Sequence, residues 1–154
     1  MKSKYILLSI LIISGLFSCK SFEERWVNRL EGNWNITNYL VTEIDSAGTV
    51  TTLVDAKDAG SYVFKEATIN DLQLEGQLEF TRILTINGNT VTTSGVGTVD
   101  EEGKRVIFYG GYCIQCDTFY TIDNDLKDHK VWSRYGPNSN GLTTVHAQYT
   151  LDRE

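Results

Sequence analysis

Cys113 and Cys116, in Tyr112-Cys113-Ile114-Gln115-Cys116, have the spacing in this chain that most directly suggests chemistry. Such a pair supplies a disulfide, half of a metal site or a redox couple. Residues three apart on a regular strand face opposite sides and lie too far apart to bridge, so a disulfide demands a turn or bulge at Ile114-Gln115. Zinc needs two further ligands, and His129 and His146 are the only imidazoles. A thioredoxin-type couple sits at the start of a helix in a βαβ context, and nothing in the chain has that pattern. A local disulfide, two free thiols, and metal or redox work therefore all stay open for the pair.

A second cluster, Asp123, Asn124, Asp125 and Asp128, lacks the spacing and closing glutamate of a calcium loop and reads as a solvated turn. The chain carries no phosphate-binding glycine loop, no Gly-x-Ser-x-Gly elbow and no His-Glu-x-x-His. No catalytic residue, metal or cofactor is assigned, and a non-enzymatic protein is expected.

The third candidate is Arg82. From Leu72 the even positions read Leu72, Leu74, Gly76, Leu78, Phe80, Arg82, Leu84 and Ile86, while Gln73, Glu75, Gln77, Glu79, Thr81 and Thr85 occupy the odd ones. Arg82 is the only charge on the apolar face of a long strand that Gly76 allows to bend. An inward arginine is costly unless it has a partner. It either reaches water or a carboxylate near a barrel rim, or meets the acidic head of an apolar ligand whose tail lies among Tyr62, Phe64 and Phe80.

The elements that position these residues are β from residue 30 onward. Trp34, Ile36, Leu40 and Ile44 oppose Asn35, Thr37 and Glu43; Tyr62 and Phe64 oppose Ser61 and Lys65; Val145, Ala147, Tyr149 and Leu151 oppose Thr144, His146, Gln148 and Thr150. Val131, Ser133 and Tyr135 share one face of their strand and Lys130, Trp132 and Arg134 the other. Turn signals at Ala47-Gly48, Asn87-Gly88, Glu102-Gly103 and Gly110-Gly111, with a longer loop from Gly136 to Gly141, predict eight or nine antiparallel strands joined mostly as hairpins. Thr93, Gly95 and Gly97 fall on the face of Val91 and Val99, where small side chains either leave space in a barrel wall or mark bends. Before the strands, Phe22, Trp26, Val27 and Leu30 stand at helical spacing and Gly32 stops them, so a short helix is expected to close one end.

The N-terminus says where the protein works. Lys2 and Lys4 precede an apolar run from Tyr5 to Phe17 that ends at Leu16-Phe17-Ser18-Cys19, the pattern of a bacterial lipoprotein signal. The run is short of the roughly twenty residues that span a bilayer. Residues 1–18 are expected to be removed and Cys19 to carry lipid, leaving residues 19–29 as tether and helix and residues 30–154 as one domain. Several acyl chains then hold the protein on its membrane, most simply the outer membrane of the cell envelope, on its periplasmic or its surface face. Loss of Lys2 and Lys4 leaves 12 basic residues against 20 acidic, a formal charge of −8 in place of −6, which argues against nucleic acid as a partner.

Glu31-Gly32-Asn33-Trp34 followed by Asn35-Ile36-Thr37 resembles the Gly-x-Trp opening of lipocalins, and more closely the lipocalin-like lipoproteins of Bacteroidetes. Tyr120-Thr121-Ile122-Asp123-Asn124-Asp125-Leu126 resembles the late hairpin of that family, and Tyr149-Thr150-Leu151-Asp152-Arg153 its closing strand. The resemblance implies an all-β, antiparallel lipocalin-like barrel of about eight strands with a short N-terminal helix. It also implies that Arg153 lies across Trp34 near Gly32 and closes the barrel floor, a contact worth roughly 0.5–2 kcal/mol. Two functions follow as expectations. One is a membrane-tethered binder of a small apolar or amphipathic ligand. The other is an interaction module with a filled barrel, docking on an envelope protein or glycan through Trp26, Trp132 or Tyr135.

Overall fold

Alternation of apolar and polar residues carries through into eight strands that close on themselves. The structure is a computed structural model and describes residues 22–69, 72–100, 102–109, 118–138 and 141–154. Helix α1 (Phe22–Leu30) leads into β1 (Gly32–Ile44), β2 (Val50–Ile69), β3 (Leu72–Ile86), β4 (Asn89–Val99), β5 (Arg105–Tyr109), β6 (Thr118–Asp125), β7 (His129–Pro137) and β8 (Thr144–Arg153). Each strand pairs antiparallel with the next, and β8 pairs with β1 to close the barrel. Asn87 and Gly88 join β3 to β4 with φ of 51° and 77°, the left-handed pair that matches the twist of a two-residue hairpin. Cys19, Cys113, Cys116 and the Gly110-Gly111 turn lie outside the described residues.

Period two predicts the lining of the barrel, with one correction. Trp34, Ile36, Tyr62, Phe64, Leu78, Phe80, Leu84, Tyr149 and Leu151 are buried in a single core. In β1, however, the register slips between Ile36 and Asn38 against both neighbours. The extra residue shifts the parity of everything after it. Tyr39, not Leu40, therefore stands opposite the inward Tyr149 and packs against the core.

Gly95 and Gly97 are not spare room. A Cβ on Gly95 would lie 3.0 Å from the Phe80 ring and 2.2 Å from the Tyr109 carbonyl oxygen, and one on Gly97 would lie 3.0 Å from the Phe108 ring. The two glycines seat rings that fill the barrel. Phe80 and Phe108 meet at 4.6 Å between ring centres, Tyr62 and Phe64 stack at 5.2 Å, and Trp132 closes on Tyr62, Phe64 and Phe108 at about 6.0 Å. Such ring pairs contribute about 0.5–1.5 kcal/mol each beyond the area they bury.

Helix α1 covers one end. Trp26, Val27 and Leu30 are buried against β3 to β5, around a crevice of only about 10 Å³. Two expectations about exposed aromatics are corrected here: Trp26 is under the helix and Trp132, at 0% exposure, is inside the barrel, because Trp26 falls on the apolar face of α1 and Trp132 on the inward face of β7. Tyr135 is 60% exposed, stacked on His146 at 4.3 Å.

The carbonyls that end α1 have no partner within the helix. The Trp34 indole N–H donates to Leu30 O at 2.7 Å, and the Arg153 guanidinium donates to Arg29 O at 2.7 Å and Glu31 O at 2.9 Å. That guanidinium stands 4.5 Å from the Trp34 ring centre, and Lys130 Nζ stands 5.3 Å from it. Lys130, fully buried, donates to Asp125 Oδ1 and to Leu126 O, while Arg29 holds Asp125 Oδ2 at 2.9 Å and Arg153 Nε faces Asp128 Oδ1 at 3.4 Å. Asp125 and Asp128 thus fasten the closed end, where the sequence reads as a solvated turn. Only tertiary pairing with Lys130, Arg29 and Arg153 makes the difference.

Breaking one side of the buried pair should cost far more than removing both. Asp125→Ala strands the Lys130 ammonium and is expected to lower unfolding stability by about 3–5 kcal/mol, whereas Asp125→Ala with Lys130→Met recovers most of that loss. Urea unfolding of the two variants checks it, and equal stabilities would contradict this account of the closed end.

Candidate functional site

The opposite end of the barrel is open. There the strands enclose a cavity of about 290 Å³ lined by Tyr39, Tyr120, Arg134, Gly136, Pro137, Asn138, Val145 and Ala147. Its floor is a set of phenols. Tyr39 stacks on Tyr149 at 4.6 Å and Tyr120 meets Tyr149 edge-on at 5.4 Å, while Tyr62 lies under Tyr149, edge-on to it at 5.9 Å.

Arg82 lies beneath this floor. Its Nη1 donates to the Tyr149 hydroxyl at 2.9 Å and its Nη2 to Thr93 Oγ1 at 3.1 Å. Nε is buried and meets no acceptor among the described residues, and no described carboxylate forms a salt bridge with the side chain. Burial works against the charged form. Electrostatic interaction with Tyr62, Tyr149 and Tyr120 more than offsets it, so the pKa lies above the ordinary arginine value. Burial raises the phenols of Tyr39, Tyr62 and Tyr149 above theirs. The cation is therefore surrounded by neutral groups.

Sequence reasoning and geometry agree in part on who lines the site. Tyr62, Phe64 and Phe80 do face inward, but they pack on one another below the phenol floor, and none of them lines the open cavity. Gly32, Trp34 and Arg153 belong to the closed end, where a Cβ on Gly32 would meet Arg153 Nη1 at 3.0 Å. The lining residues that sequence reasoning missed are Tyr39, Tyr120 and Arg134. The inward face of β7 shared by Trp132 and Arg134 was visible as alternation; Tyr39 was hidden by the β1 bulge.

His129 Nδ1 and Asp152 Oδ1 are 2.6 Å apart, and Thr37 Oγ1 donates to Asp152 Oδ2 at 2.7 Å. The hydroxyl is on the carboxylate, not on the imidazole, which is the wrong order for activating a nucleophile. Those two bonds, from His129 first and Thr37 second, hold the Asp152 carboxyl below its usual range. Among the described residues no cluster of three or more His, Cys, Asp or Glu is placed to hold a metal, and no helix is long and apolar enough to cross a membrane.

No family model matches the sequence, and no curated protein does. Solved structures are similar in fold. EF1p2_mFAP2b, solved bound to DFHBI, aligns over 87% of this chain and 100% of its own at 15% identity with a TM-score of 0.51. The S-type phycobiliprotein lyase CPES from Guillardia theta aligns over 88% of this chain and 98% of its own at 12% identity, also at 0.51. The odorant-binding protein from bovine nasal mucosa aligns over 89% of this chain and 77% of its own at 12% identity, at 0.43. The fold is a lipocalin-like barrel. Eight antiparallel strands in consecutive order, closed β8 to β1 with one short helix at the end, are its defining features here.

The phenols give the site a titration signature. Because the folded protein holds Tyr39, Tyr62 and Tyr149 protonated where a free phenol would ionise, the stability they contribute is complete below about pH 10 and is lost as pH rises through that range toward their folded values. Absorbance at 295 nm during alkaline titration should show these three tyrosinates appearing only with the loss of tertiary structure. In Tyr39→Phe, Tyr62→Phe and Tyr149→Phe variants that cooperative component should shrink.

Proposed function

We propose that this chain is a lipid-anchored protein of the cell envelope, of the Bacteroidetes lipocalin-like lipoprotein type, that binds a small amphipathic molecule in the open end of its barrel. The observation that carries the reading is the cavity of about 290 Å³, which remains where the rest of the barrel is packed with rings. Its walls join the phenols of Tyr39 and Tyr120 and the aliphatic Val145 and Ala147 with the polar Arg134 and Asn138, and the Arg82 guanidinium under its floor has charge to offer. Apolar surface interleaved with convergent polar groups suits an amphipathic ligand. Arg82 receives the acidic head, and the apolar part lies along Tyr39, Tyr120, Val145 and Ala147.

Lipidation rests on the leader that ends at Cys19, with outer-membrane anchoring as its simplest destination. Only Lys20 and Ser21 separate Cys19 from α1 in the sequence, and a residue spans at most about 3.6 Å. On this reading the α1 end faces the bilayer and the mouth faces away from it. The ligand then comes from the aqueous side or from a partner.

A second reading, a module that docks on an envelope protein or glycan, is favoured by the apolar residues exposed on the open half of the barrel. Leu142 is 77% exposed, Val50 60% and Val91 53%, beside Tyr135. These lie on the mouth and leave its cavity free, so the two readings divide on what fills it.

Native mass spectrometry of the full chain, extracted from its own envelope in neutral detergent, separates them. A mass excess that disappears on denaturation, and that Arg82→Leu lowers at least tenfold in occupancy, supports the binder. Bare protein, repeated after incubation with an envelope lipid extract, overturns it in favour of the docking module.

A further inference from the structure

The charges around the cavity run against those of the chain. The protein carries 20 acidic residues and 14 basic ones, yet the one charged side chain lining this cavity is Arg134, and the charge beneath its phenol floor is the Arg82 guanidinium. Of the four arginines on strands, Arg105 and Arg153 each meet an aspartate, at 3.0 Å and 3.4 Å. Arg82 and Arg134 form no salt bridge among the described residues, and these are the one beneath the cavity floor and the one on its wall. The carboxylate of Glu43, near the same end, accepts at Oε1 from Asn138 Nδ2 and from Thr143 Oγ1, the latter at 2.5 Å, and forms no salt bridge with either arginine.

The two guanidiniums occupy different levels. Arg82 reaches the Tyr149 hydroxyl, and Tyr149 pairs with Trp132 across β7 and β8. Arg134 pairs with Ala147, the next inward position toward the mouth, about 6.7 Å farther along the strand. Tyr39, which lines the cavity, feels both cations. A low-dielectric wall focuses such a field along the cavity axis, from a cation at the floor to one at the lip.

Resting on the reading of the cavity as a ligand site, we propose that the ligand is a dianion: a small amphipathic molecule with two acidic groups joined by an apolar segment, one acid received by Arg82 at the floor and the other by Arg134 at the mouth. The apolar segment spans the phenols and Ala147. Arg134 is then a specificity-determining residue, because a ligand with one acid satisfies Arg82 alone.

Isothermal titration of the full chain in neutral detergent tests this with suberate, sebacate and dodecanedioate, each against its own monomethyl ester. The ester keeps the chain length and removes one charge. At the best length the diacid should bind at least about tenfold tighter than the ester, as expected for one charge-assisted contact. Arg134→Gln should bring diacid affinity down to the level of the ester and so erase that difference, while Arg82→Leu weakens both. Diacid and ester binding alike, or a preference that survives Arg134→Gln, overturns the second acid site and leaves the amphipathic binder standing. Failure of every probe, together with bare protein in the native mass spectrum, overturns both.

Discussion

The constraint on which the rest of this structure depends is the unsatisfied C-terminus of a nine-residue helix. A helix that short gains little stability from its own hydrogen bonds and must be held by what it packs on. Here the Trp34 indole N–H takes the last carbonyl, at Leu30, and Arg153 takes those of Arg29 and of Glu31 just beyond the helix, with the guanidinium placed where the helix dipole is negative. Trp34 belongs to the first strand and Arg153 to the last, so the same contacts that cap the helix also fasten the seam at which the barrel closes. Lys130 joins from β7 on the Trp34 ring, and Asp125 and Asp128 answer the cations. Helix cap, barrel closure and end plug are one cluster.

Fastening that end decides where a ligand can go. Below the phenol floor the interior is consumed by Tyr62, Phe64, Phe80, Phe108 and Trp132, with Gly95 and Gly97 giving the β4 wall the thinness those rings require. An eight-stranded barrel has an interior that side chains can fill or leave open for one small molecule. This chain does both, one in each half. The division falls at Tyr149, whose ring roofs the packed half and whose hydroxyl holds Arg82.

Much of this was legible in the residues. The alternation from Leu78 to Ile86 and from Val145 to Leu151 gave the inward faces, and Asn87-Gly88 gave a hairpin of the right hand. What sequence could not carry were events that depend on a partner strand. The slip after Ile36 inserts one residue into the run, so alternation read on from Trp34 and Ile36 puts Leu40 inward, and only the register with β8 puts Tyr39 there instead. Gly95 and Gly97 look like gaps until Phe80 and Phe108 are placed opposite them. Asp125 looks solvated because nothing in the sequence pairs it with Lys130, five residues on; only the closure that buries the lysine makes the carboxylate indispensable.

Arg82 shows how the two halves meet. A charge brought into a protein interior is normally answered by an opposite charge, and the closed end of this barrel follows that rule with Lys130 and Asp125. Arg82 is answered by hydroxyls instead. Phenols and a threonine can accept its hydrogen bonds, but with Tyr62 and Tyr149 held protonated by burial they do not neutralise it. Net positive charge therefore persists just under an open cavity, in a chain with a surplus of carboxylates to spend on it. A carboxylate from the chain would have made the barrel more self-sufficient and the site inert. Hydroxyl partners hold the guanidinium in place while leaving its charge to act on whatever enters.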